Sequence, residues 1–216
     1  MHLLTDSDRA RITEAVTRAE ERTSGEIVPV IVKRSAPYGV VSYRAGVSGA
    51  VLGAMLHELI VLGWDGWGLP LLLSDAALFL WMLGFGVLFG WAAQRMGFLF
   101  RLIAGSGLID FAVHQRAETA FLEEEVFATR NRTGILLLVS LDEHRVEVLG
   151  DTGINRLVAP EDWADVVEAV ARGVRAGKLA DGLVDAIDQC GSLLERKGVE
   201  RRDDDSDELS NAPRVQ

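Results

Sequence analysis

The sequence has a single cysteine, more acidic than basic residues, and no export signal at its start. Cys190 has no second cysteine with which to form an internal disulfide, so nothing marks an oxidising compartment. The net charge is −10 and no basic stripe is concentrated anywhere, which argues against a nucleic-acid groove. The opening residues, MHLLTDSDRA, lack an apolar core behind a basic start, so we expect no cleavable signal peptide.

Two long stretches have almost no charge. The first contains 20 residues between Arg44 and Asp65, and the second contains 19 residues between Asp75 and Arg95. A helix of about 20 apolar residues is long enough to cross a bilayer core. The two stretches therefore predict a transmembrane hairpin. A buried helical pair in a soluble protein is the alternative.

The hairpin is predicted over residues 40–94, with helices at about 45–64 and 69–93 that turn at GWDGWG. Trp64 and Trp67 fit the aromatic belt of a membrane interface. Basic residues flank the hairpin at both ends and are absent from its turn. By the positive-inside rule, these charges place both termini and the remaining domain in the cytoplasm, at the inner membrane.

Three ionisable residues lie in or beside the predicted spans. His57 and Glu58 precede the turn by about as many residues as Asp75 follows it, so at about 1.5 Å per residue the three lie at similar depth. Ionisable groups inside a bilayer are costly and usually pair or face other protein. We therefore expect His57 or Glu58 to approach Asp75 across the hairpin.

Small residues recur at four-residue spacing in both spans, as Gly49-x-x-x-Gly53 and Gly86-x-x-x-Gly90. Such faces let helices approach closely, either within the hairpin or between subunits. The expected partners are therefore the lipid bilayer and, through the hairpin, another protein or a second copy of the chain. No nucleic acid is expected.

Outside the hairpin, the periodicity predicts a mixed α/β domain. Residues 1–36 form a helix and the apolar strand EIVPVIV, in which Pro29 favours an edge position. Residues 96–197 form an interfacial segment, a helix, the strands GILLLVSL and HRVEVLG, and two further helices. Because a hairpin returns the chain to the side it left, the first part can join the later elements in one sheet. Residues 198–216 have little to bury, which predicts a disordered acidic tail.

The motif Asp151-Thr152-Gly153 has the form of a catalytic aspartate in an aspartic protease. A retroviral-type protease would have Ala or Ser next and a second apolar-Gly-Arg segment downstream, whereas Ile154 follows here and no such segment exists. A strand that runs into a turn explains the motif, with Asp151 bonding its own backbone and Gly153 taking positive φ. The turn is the favoured interpretation.

A second use for this turn is the binding of a hard cation. Oxygen ligands would converge from Asp151 and Asn155, and Ca²⁺ or Mg²⁺ would be the ion. Asp142 and Glu143 lie at the connection between two antiparallel strands, at the opposite end from Asp151, and so do not join that site. Solvated turn acids are the favoured interpretation and the cation site is the alternative, and no residue stands out as catalytic.

Three segments carry a family resemblance: LTDSDRARITEAVTRAEERTSGEIVPVIV, TRNRTGILLLVSLDEHRVEVLGDTGI and APEDWADVVEAVARGVRAGKLADGLVDAIDQCGSLL. They resemble the TPM domain family, named after a thylakoid phosphatase, a photosystem-repair protein and a nematode receptor modulator. More narrowly, the chain looks like the bacterial branch in which a hydrophobic hairpin interrupts the domain. The resemblance covers about residues 3–197. It implies an α/β/α sandwich around a short sheet.

The resemblance also implies a range of activities. A phosphatase activity is attributed to the plant member, divalent metal binding to some relatives and partner binding to others. Many soluble relatives begin with an Asp-x-Ala-Gly-x-Leu stretch, whereas this chain begins with MHLLTDSD and has only Asp6 and Asp8 there. That departure weakens the implied metal and phosphatase chemistry.

The sequence thus predicts an α/β fold, an α/β/α sandwich around a short mixed sheet interrupted by a two-helix transmembrane hairpin. The favoured function is a membrane-anchored interaction or assembly module. The alternative is a phosphatase-like hydrolase that acts on phosphomonoesters with a divalent metal. An acidic site would favour the hydrolase, whereas an apolar patch or an open sheet edge would favour the interaction module.

Overall fold

The computed structural model describes residues 4–63, 74–199, 201 and 208–216. The chain divides into two compact units. One consists of Met1–Ala36 and Asp110–Gln216, and the other of Pro37–Ile109. The chain therefore leaves the first unit after Ala36, builds the second unit, and returns to the first at Asp110.

A four-stranded mixed sheet forms the centre of the first unit. Its strands are β1 (Glu26–Val32), β2 (Gly134–Ser140), β3 (Arg145–Gly150) and β4 (Arg214–Val215), in the spatial order β3-β2-β1-β4. β1 is parallel to β2 and β4, while β2 is antiparallel to β3. Every residue of β1 and β2 is buried, as expected for apolar strands covered on both faces. The prediction that the first and later elements share one sheet is confirmed.

The helices of the described residues are α1 (Asp6–Glu20), α2 (Gly39–Gly63), α3 (Asp75–Arg95), α4 (Gly97–Ala104), α5 (Ser106–Glu123), α6 (Thr152–Asn155), α7 (Ala164–Arg175) and α8 (Leu179–Arg196). A 3₁₀ turn at Pro160–Trp163 precedes α7. The elements α1, α7 and α8 cover one face of the sheet. The part of α5 that belongs to the first unit covers the other face, which gives the predicted α/β/α sandwich.

Alternation along the strands assigns side chains to these two layers. Ile27, Ile31, Ile135 and Leu137 belong to one cluster with the buried residues of α1, α7 and α8. The intervening positions of both strands are also buried, and α5 contributes buried alanines such as Ala117 to that side. The main core therefore lies between the sheet and the three helices of the first layer.

The end of the chain differs from its prediction. Disorder was predicted for residues 198–216, but residues 208–216 include β4, which pairs with Val30 and Ile31. The amide of Gln216 donates to the carbonyl of Ile31 at 2.9 Å. The prediction is therefore wrong for residues 208–216, because backbone hydrogen bonding to an unpaired strand needs few apolar side chains. The stretch of residues 202–207 lies outside the described residues.

The edge position predicted for the strand that contains Pro29 is also wrong, since β1 lies between β2 and β4. Proline is tolerated in β1 because β4 pairs only from Val30 onwards. The nitrogen of Pro29, which has no hydrogen to donate, therefore lies beyond the start of β4.

The second unit contains α2 and α3, of 25 and 21 residues, and both are long and apolar enough to cross a membrane. They pack closely because glycines lie at their contact. A Cβ at Gly49 would lie 2.5 Å from the carbonyl oxygen of Phe85, and a Cβ at Gly53 would lie 2.7 Å from that of Trp81. The small-residue faces predicted from the sequence thus lie within the hairpin.

The described residues contain only part of the predicted hairpin. Its turn, with Trp64 and Trp67, lies outside the described residues. Each described helix also differs from its prediction at the ends, because α2 begins at Gly39 and α3 at Asp75. The segment predicted as interfacial consists of α4 and the start of α5, which meet at Gly105 with a φ of 73°.

Candidate functional site

Asp151 lies where β3 ends and α6 begins. It is the N-cap of α6, and its carboxylate accepts a hydrogen bond from the amide of Thr152 at 2.6 Å. The guanidinium of Arg132 contacts both carboxylate oxygens, with Nε 2.6 Å from Oδ2 and a terminal nitrogen 3.1 Å from Oδ1. Asp151 is only 4% exposed. The Asp-Thr-Gly motif is therefore a turn, held by a cap and an ion pair.

Gly153 is required in this turn for a different reason from the one predicted. Positive φ was expected, but Gly153 is the second residue of α6 and is not among the glycines with positive φ. A Cβ there would lie 2.4 Å from the carbonyl oxygen of Asn131 and 2.6 Å from that of Arg132. The glycine thus lets two backbone segments touch, and its amide donates to the carbonyl of Arg132 at 2.9 Å.

Asn155, the second residue of the predicted metal site, is exposed, and its side-chain amide donates to the carbonyl of Gly150 at 2.6 Å. The structure therefore gives both predicted ligands a structural partner, Asp151 through Arg132 and Asn155 through Gly150. Among the described residues, no group of three or more His, Cys, Asp or Glu side chains is arranged to hold a metal ion. A Ca²⁺ or Mg²⁺ site at this turn stays a prediction.

Glu143 lies at the other end of the strand pair, and the structure corrects the expectation that it is solvated. It is completely buried. Its carboxylate accepts a hydrogen bond from the amide of Ser35 at 3.0 Å and another from the hydroxyl of Ser140 at 2.5 Å. The hydroxyls of Ser35 and Ser140 are 2.6 Å apart. The neighbouring Asp142 behaves differently, since it is partly exposed and pairs with Arg34 at 2.9 Å.

This network was not predicted, although the sequence contains a signal for it. Ser140 ends β2, and Ser35 follows β1 by three residues. The carboxyl ends of neighbouring parallel strands meet at one edge of a sheet. Two serines at those ends, next to a tight connection that contains Glu143, predict a polar group between the strand ends.

The predicted polar residues of the hairpin occupy two different environments. His57 is 2% exposed, and its Nδ1 lies 3.4 Å from a carboxylate oxygen of Glu58. Its ring packs edge-on against Trp81 of α3, with ring centroids 6.3 Å apart. Asp75 is exposed at the start of α3. No ion pair within the described part of the chain joins Asp75 to His57 or Glu58, and their approach stays a prediction.

The edge of the sheet at β3 offers a different kind of site. β3 is the last strand in the order β3-β2-β1-β4, and among the described strands it pairs only with β2. The amide of Asp151 donates to the carbonyl of Gly134 at 2.8 Å, one residue beyond the last pair of the ladder. In an antiparallel pair, the residues that bond across to the partner alternate with residues whose backbone groups point away.

Counting back from Asp151 by twos assigns the direction of each backbone group in β3. Leu149, Glu147 and Arg145 bond to β2, whereas Gly150, Val148 and Val146 direct their N–H and C=O groups away from it. The hydrogen bond from Asn155 to the carbonyl of Gly150 is consistent with this assignment, because that carbonyl is available outside the ladder. The outer edge of β3 therefore presents open backbone groups.

A groove runs between this edge and α7, and we call it the β3 groove. It consists of two concavities of about 390 and 530 Å³ that share Val146 and Val167 in their linings. Its apolar lining comes from Val139, Val146, Val148, Leu149, Val158, Pro160, Trp163, Val167, Ala171 and Val174. Trp163, Val167, Ala171 and Val174 recur at helical spacing, so one face of the helix forms a continuous wall.

The β3 groove also differs in charge from the rest of the chain. Arg145 and Arg175 line one end of it, and Glu147 is the one acidic residue among its described lining residues. Both arginines also make ion pairs, Arg145 with Asp110 at 2.7 Å and Arg175 with Glu168 at 2.5 Å. An apolar groove with a basic end stands out in a chain whose net charge is −10.

The TPM domain family model matches residues 108–193. This confirms the family resemblance. The match begins in α5 and ends in α8, so the TPM part of the chain includes β2, β3, α7 and the whole β3 groove. The hairpin helices α2 and α3 lie outside it.

A solved structure is similar to the whole chain. It is the NMR structure of the BA42 protein from the psychrophilic bacterium Bizionia argentinensis, with a TM-score of 0.59. The two sequences are 21% identical, over 99% of this chain and 95% of BA42. Likeness at this level of identity shows a shared fold. No curated protein matches the chain.

Proposed function

We propose that this TPM-domain chain is a protein-interaction module attached to a membrane by the α2–α3 hairpin, with the β3 groove as its binding surface. The observation that carries the proposal is the open edge of β3 beside an apolar groove. Peptide-binding domains use this combination, because a sheet edge supplies backbone hydrogen bonds and neighbouring pockets accept side chains.

The composition of the groove supports a protein partner over a small phosphorylated substrate. Its walls are largely valines, Trp163 and Pro160, and its charged lining residues are Arg145, Arg175 and Glu147. The acidic turns that a metal-dependent hydrolase would use are engaged elsewhere, Asp151 with Arg132 and Glu143 with Ser35 and Ser140. The phosphatase-like alternative with a divalent metal stays a prediction.

Membrane attachment is supported by the outward faces of the hairpin. Large apolar side chains are exposed along both helices, including Met55 and Leu59 on α2 and Phe79 and Leu83 on α3. Exposed apolar surface of this extent is stable in contact with lipid. Within this proposal the hairpin lies in the inner membrane, and the termini and the TPM-domain part lie in the cytoplasm, as the flanking basic residues indicate.

Topology can be tested with reporter fusions in cells. An alkaline-phosphatase fusion at Gly66 should be active, because the hairpin turn is expected on the far side of the membrane. A fusion after Gln216 should be inactive. The reverse pattern would contradict the proposed orientation.

The interaction itself is tested by photo-crosslinking of the full chain in cells. A photoreactive amino acid at Val167 should give an adduct of one defined mass with a second protein. The matched position is Asp165, which is exposed on the same helix and lines a concavity toward α8. Equal adducts from the two positions, or none from Val167, would contradict the proposed binding surface.

A further inference from the structure

We infer that the segment bound in the β3 groove is an extended stretch of a partner protein that pairs with β3 as an added strand. It carries apolar side chains at every second position and an acidic residue at the end near Arg145 and Arg175. This inference rests on the proposed function and specifies the chemistry of the partner.

The backbone of β3 supports pairing with a strand. Val146 and Val148 have N–H and C=O groups that point away from β2, and these residues are two positions apart. That spacing, about 6.8 Å along the strand, matches the repeat of any β-strand laid beside it. The carbonyl of Gly150 is taken by Asn155, so pairing extends from Val146 to about this point.

Among the described residues, the edge formed by β3 has no proline and no bulge, and its charged residues Arg145 and Glu147 pair with Asp110 and His114 of α5. Edges are usually protected by proline, by inward-pointing charges, by a bulge or by a covering element. The outward positions of β3 are Val146, Val148 and Gly150, and its ladder to β2 is regular over all six residues. The opposite edge of the sheet is covered by β4, the chain's own final strand. β4 has only two residues, so among the described strands β3 offers the longest open edge.

The side chains of the bound segment follow from the pleat. Val146 and Val148 point toward the layer of α7, since both pack against the main core. A strand placed beside β3 directs every second side chain to that same layer. Those side chains would lie over Val167 and Trp163, where apolar groups are buried favourably. The intervening side chains of the segment can be polar.

The arginines at one end of the groove determine the remaining feature of the bound segment, its acidic residue. Arg145 and Arg175 line one end of the groove, with side chains 41% and 63% exposed. Arg175 belongs to α7, whereas the side chain of Arg145 lies toward α5, where it pairs with Asp110. An incoming carboxylate can therefore join or replace the existing acidic partner. A second copy of this chain that paired antiparallel with β3 would bring Gly150 and Asp151 to that end, and the carboxylate of Asp151 is already buried against Arg132. A segment of another protein that carries Asp or Glu matches the charges better.

The test uses the full chain in lipid nanodiscs and the synthetic peptide Glu-Val-Ser-Val-Thr-Val-Glu, with empty nanodiscs to subtract lipid binding. Two control peptides keep its length. One has the three valines together, and the other has lysine in place of both glutamates. The alternating acidic peptide should bind at least about tenfold more tightly than either control, equivalent to about 1.4 kcal/mol. Equal binding of all three would overturn the inference.

Hydrogen exchange reports on strand pairing directly. The bound peptide should slow exchange of the Val146 and Val148 amides, whereas the amides of Glu147 and Leu149 are already bonded to β2 and should change little. Protection that does not alternate, or that falls on α7 alone, would overturn the strand-pairing mode.

Variants distinguish a specific effect of the groove on peptide binding from a general effect of added charge. Val167→Asp places a carboxylate in the groove and should weaken peptide binding at least about tenfold. Ala164→Asp places the same charge at an exposed position of α7 outside the groove lining and should leave binding unchanged. Val148→Pro removes an outward N–H without removing a bond to β2, and should also abolish the protection of Val146. Circular dichroism checks that each variant is folded.

The outcomes distinguish this inference from the proposed function. A photo-adduct at Val167 without alternating protection by the peptide means that a partner binds in the groove by another mode. The proposed function then stands, and the inference that the partner pairs with β3 as a strand is overturned. If neither the photo-adduct nor the alternating protection is observed, both the proposed function and the inferred strand pairing are overturned. Binding of a second copy would instead appear as a dimer by analytical ultracentrifugation in detergent, and a dimer broken by Val148→Pro would overturn the assignment of a foreign partner.

Discussion

Arg132 and Asp151 form the ion pair that holds the turn after β3, with Nε of the arginine 2.6 Å from Oδ2 of the aspartate. The two members differ in environment, because the side chain of Asp151 is 3% exposed and that of Arg132 is 52% exposed. The carboxylate has therefore lost most of its water, and the arginine replaces part of that hydration. The arginine, Gly153 and the helix cap together define the end of the edge strand.

Asp151→Ala should lower the free energy of unfolding by about 2 kcal/mol, because it removes the helix cap and a charged hydrogen-bond acceptor. Asp151→Asn should cost about half as much, since an amide oxygen can still cap α6. Denaturant unfolding of the full chain in detergent measures both changes. Equal stability of the two variants would mean that the cap contributes nothing.

The predicted metal site can be tested on the same samples. Ca²⁺ or Mg²⁺ bound only to the folded chain would raise the free energy of unfolding in proportion to the logarithm of its concentration. A site that uses Asp151 would lose this dependence in Asp151→Asn. Stability that is independent of both ions in the wild-type chain would count against the site.

Glu143→Ala should lower the free energy of unfolding by about 3 kcal/mol, because it leaves the partly buried amide of Ser35 and the buried hydroxyl of Ser140 without their acceptor. Glu143→Gln should be milder, since the amide can still bond to both. Asp142→Asn is the matched control, and this partly exposed neighbour should change stability by about 0–1 kcal/mol. Comparable losses at Glu143 and Asp142 would contradict the buried network.

The contact between His114 and Glu147 should make stability depend on pH. The hydrogen bond to Glu147, 2.9 Å long, raises the pKa of His114, and Glu118 acts in the same direction. A raised pKa means that the protonated form is favoured by folding. The contribution of this contact to the free energy of unfolding is therefore complete below about pH 6.5, and it is lost as the pH rises through the pKa of His114 in the folded state.

The expected effect is small because the pair is exposed, and exposed ion pairs contribute about 0.2–1 kcal/mol. Denaturant unfolding from about pH 5.5 to about pH 8.5 measures it as the difference between the wild-type chain and Glu147→Gln. The two curves should differ most at the acidic end and converge at the alkaline end. A constant difference across this range would show that the pair does not titrate.

Glycines in the hairpin provide a matched comparison. Gly49→Ala should destabilise the packing of α2 on α3 by about 1–3 kcal/mol, because its Cβ would lie 2.5 Å from the carbonyl oxygen of Phe85. Gly84→Ala is the control, since nothing lies within 4 Å of its Cβ. It should be neutral or up to about 1 kcal/mol more stable. Thermal denaturation in detergent measures both, and equal effects would contradict the observed helix contact.

Cys190 should be unreactive in the folded chain. Burial raises the pKa of its thiol to about 12, and Glu20 adds to the shift. At about pH 8 almost no thiolate is present, and the sulfur is also shielded from reagents. Labelling by a maleimide should therefore occur only when α8 opens or the chain unfolds. A folded-state rate equal to that of the chain in denaturant would show that Cys190 is accessible.

Much of the fold follows from local patterns in the sequence. The apolar runs of β1 and β2 predict strands buried on both faces, and the uncharged stretches predict the two hairpin helices. Thr5 and Asp8, three residues apart in the sequence, form a capping box at the start of α1. These features depend on residues close together in the chain, so the pattern of residues alone is enough to predict them.

Tertiary structure decided the features that depend on residues far apart. Arg132 reaches Asp151 and Ser35 reaches Glu143 only because the sheet brings their strands together. The strand order leaves β3 at an edge and puts the final strand beside β1, which no local pattern indicates, since β4 is only two residues long. The β3 groove exists for the same reason: its valines are recognisable in the sequence, but the open edge results from which strands pair.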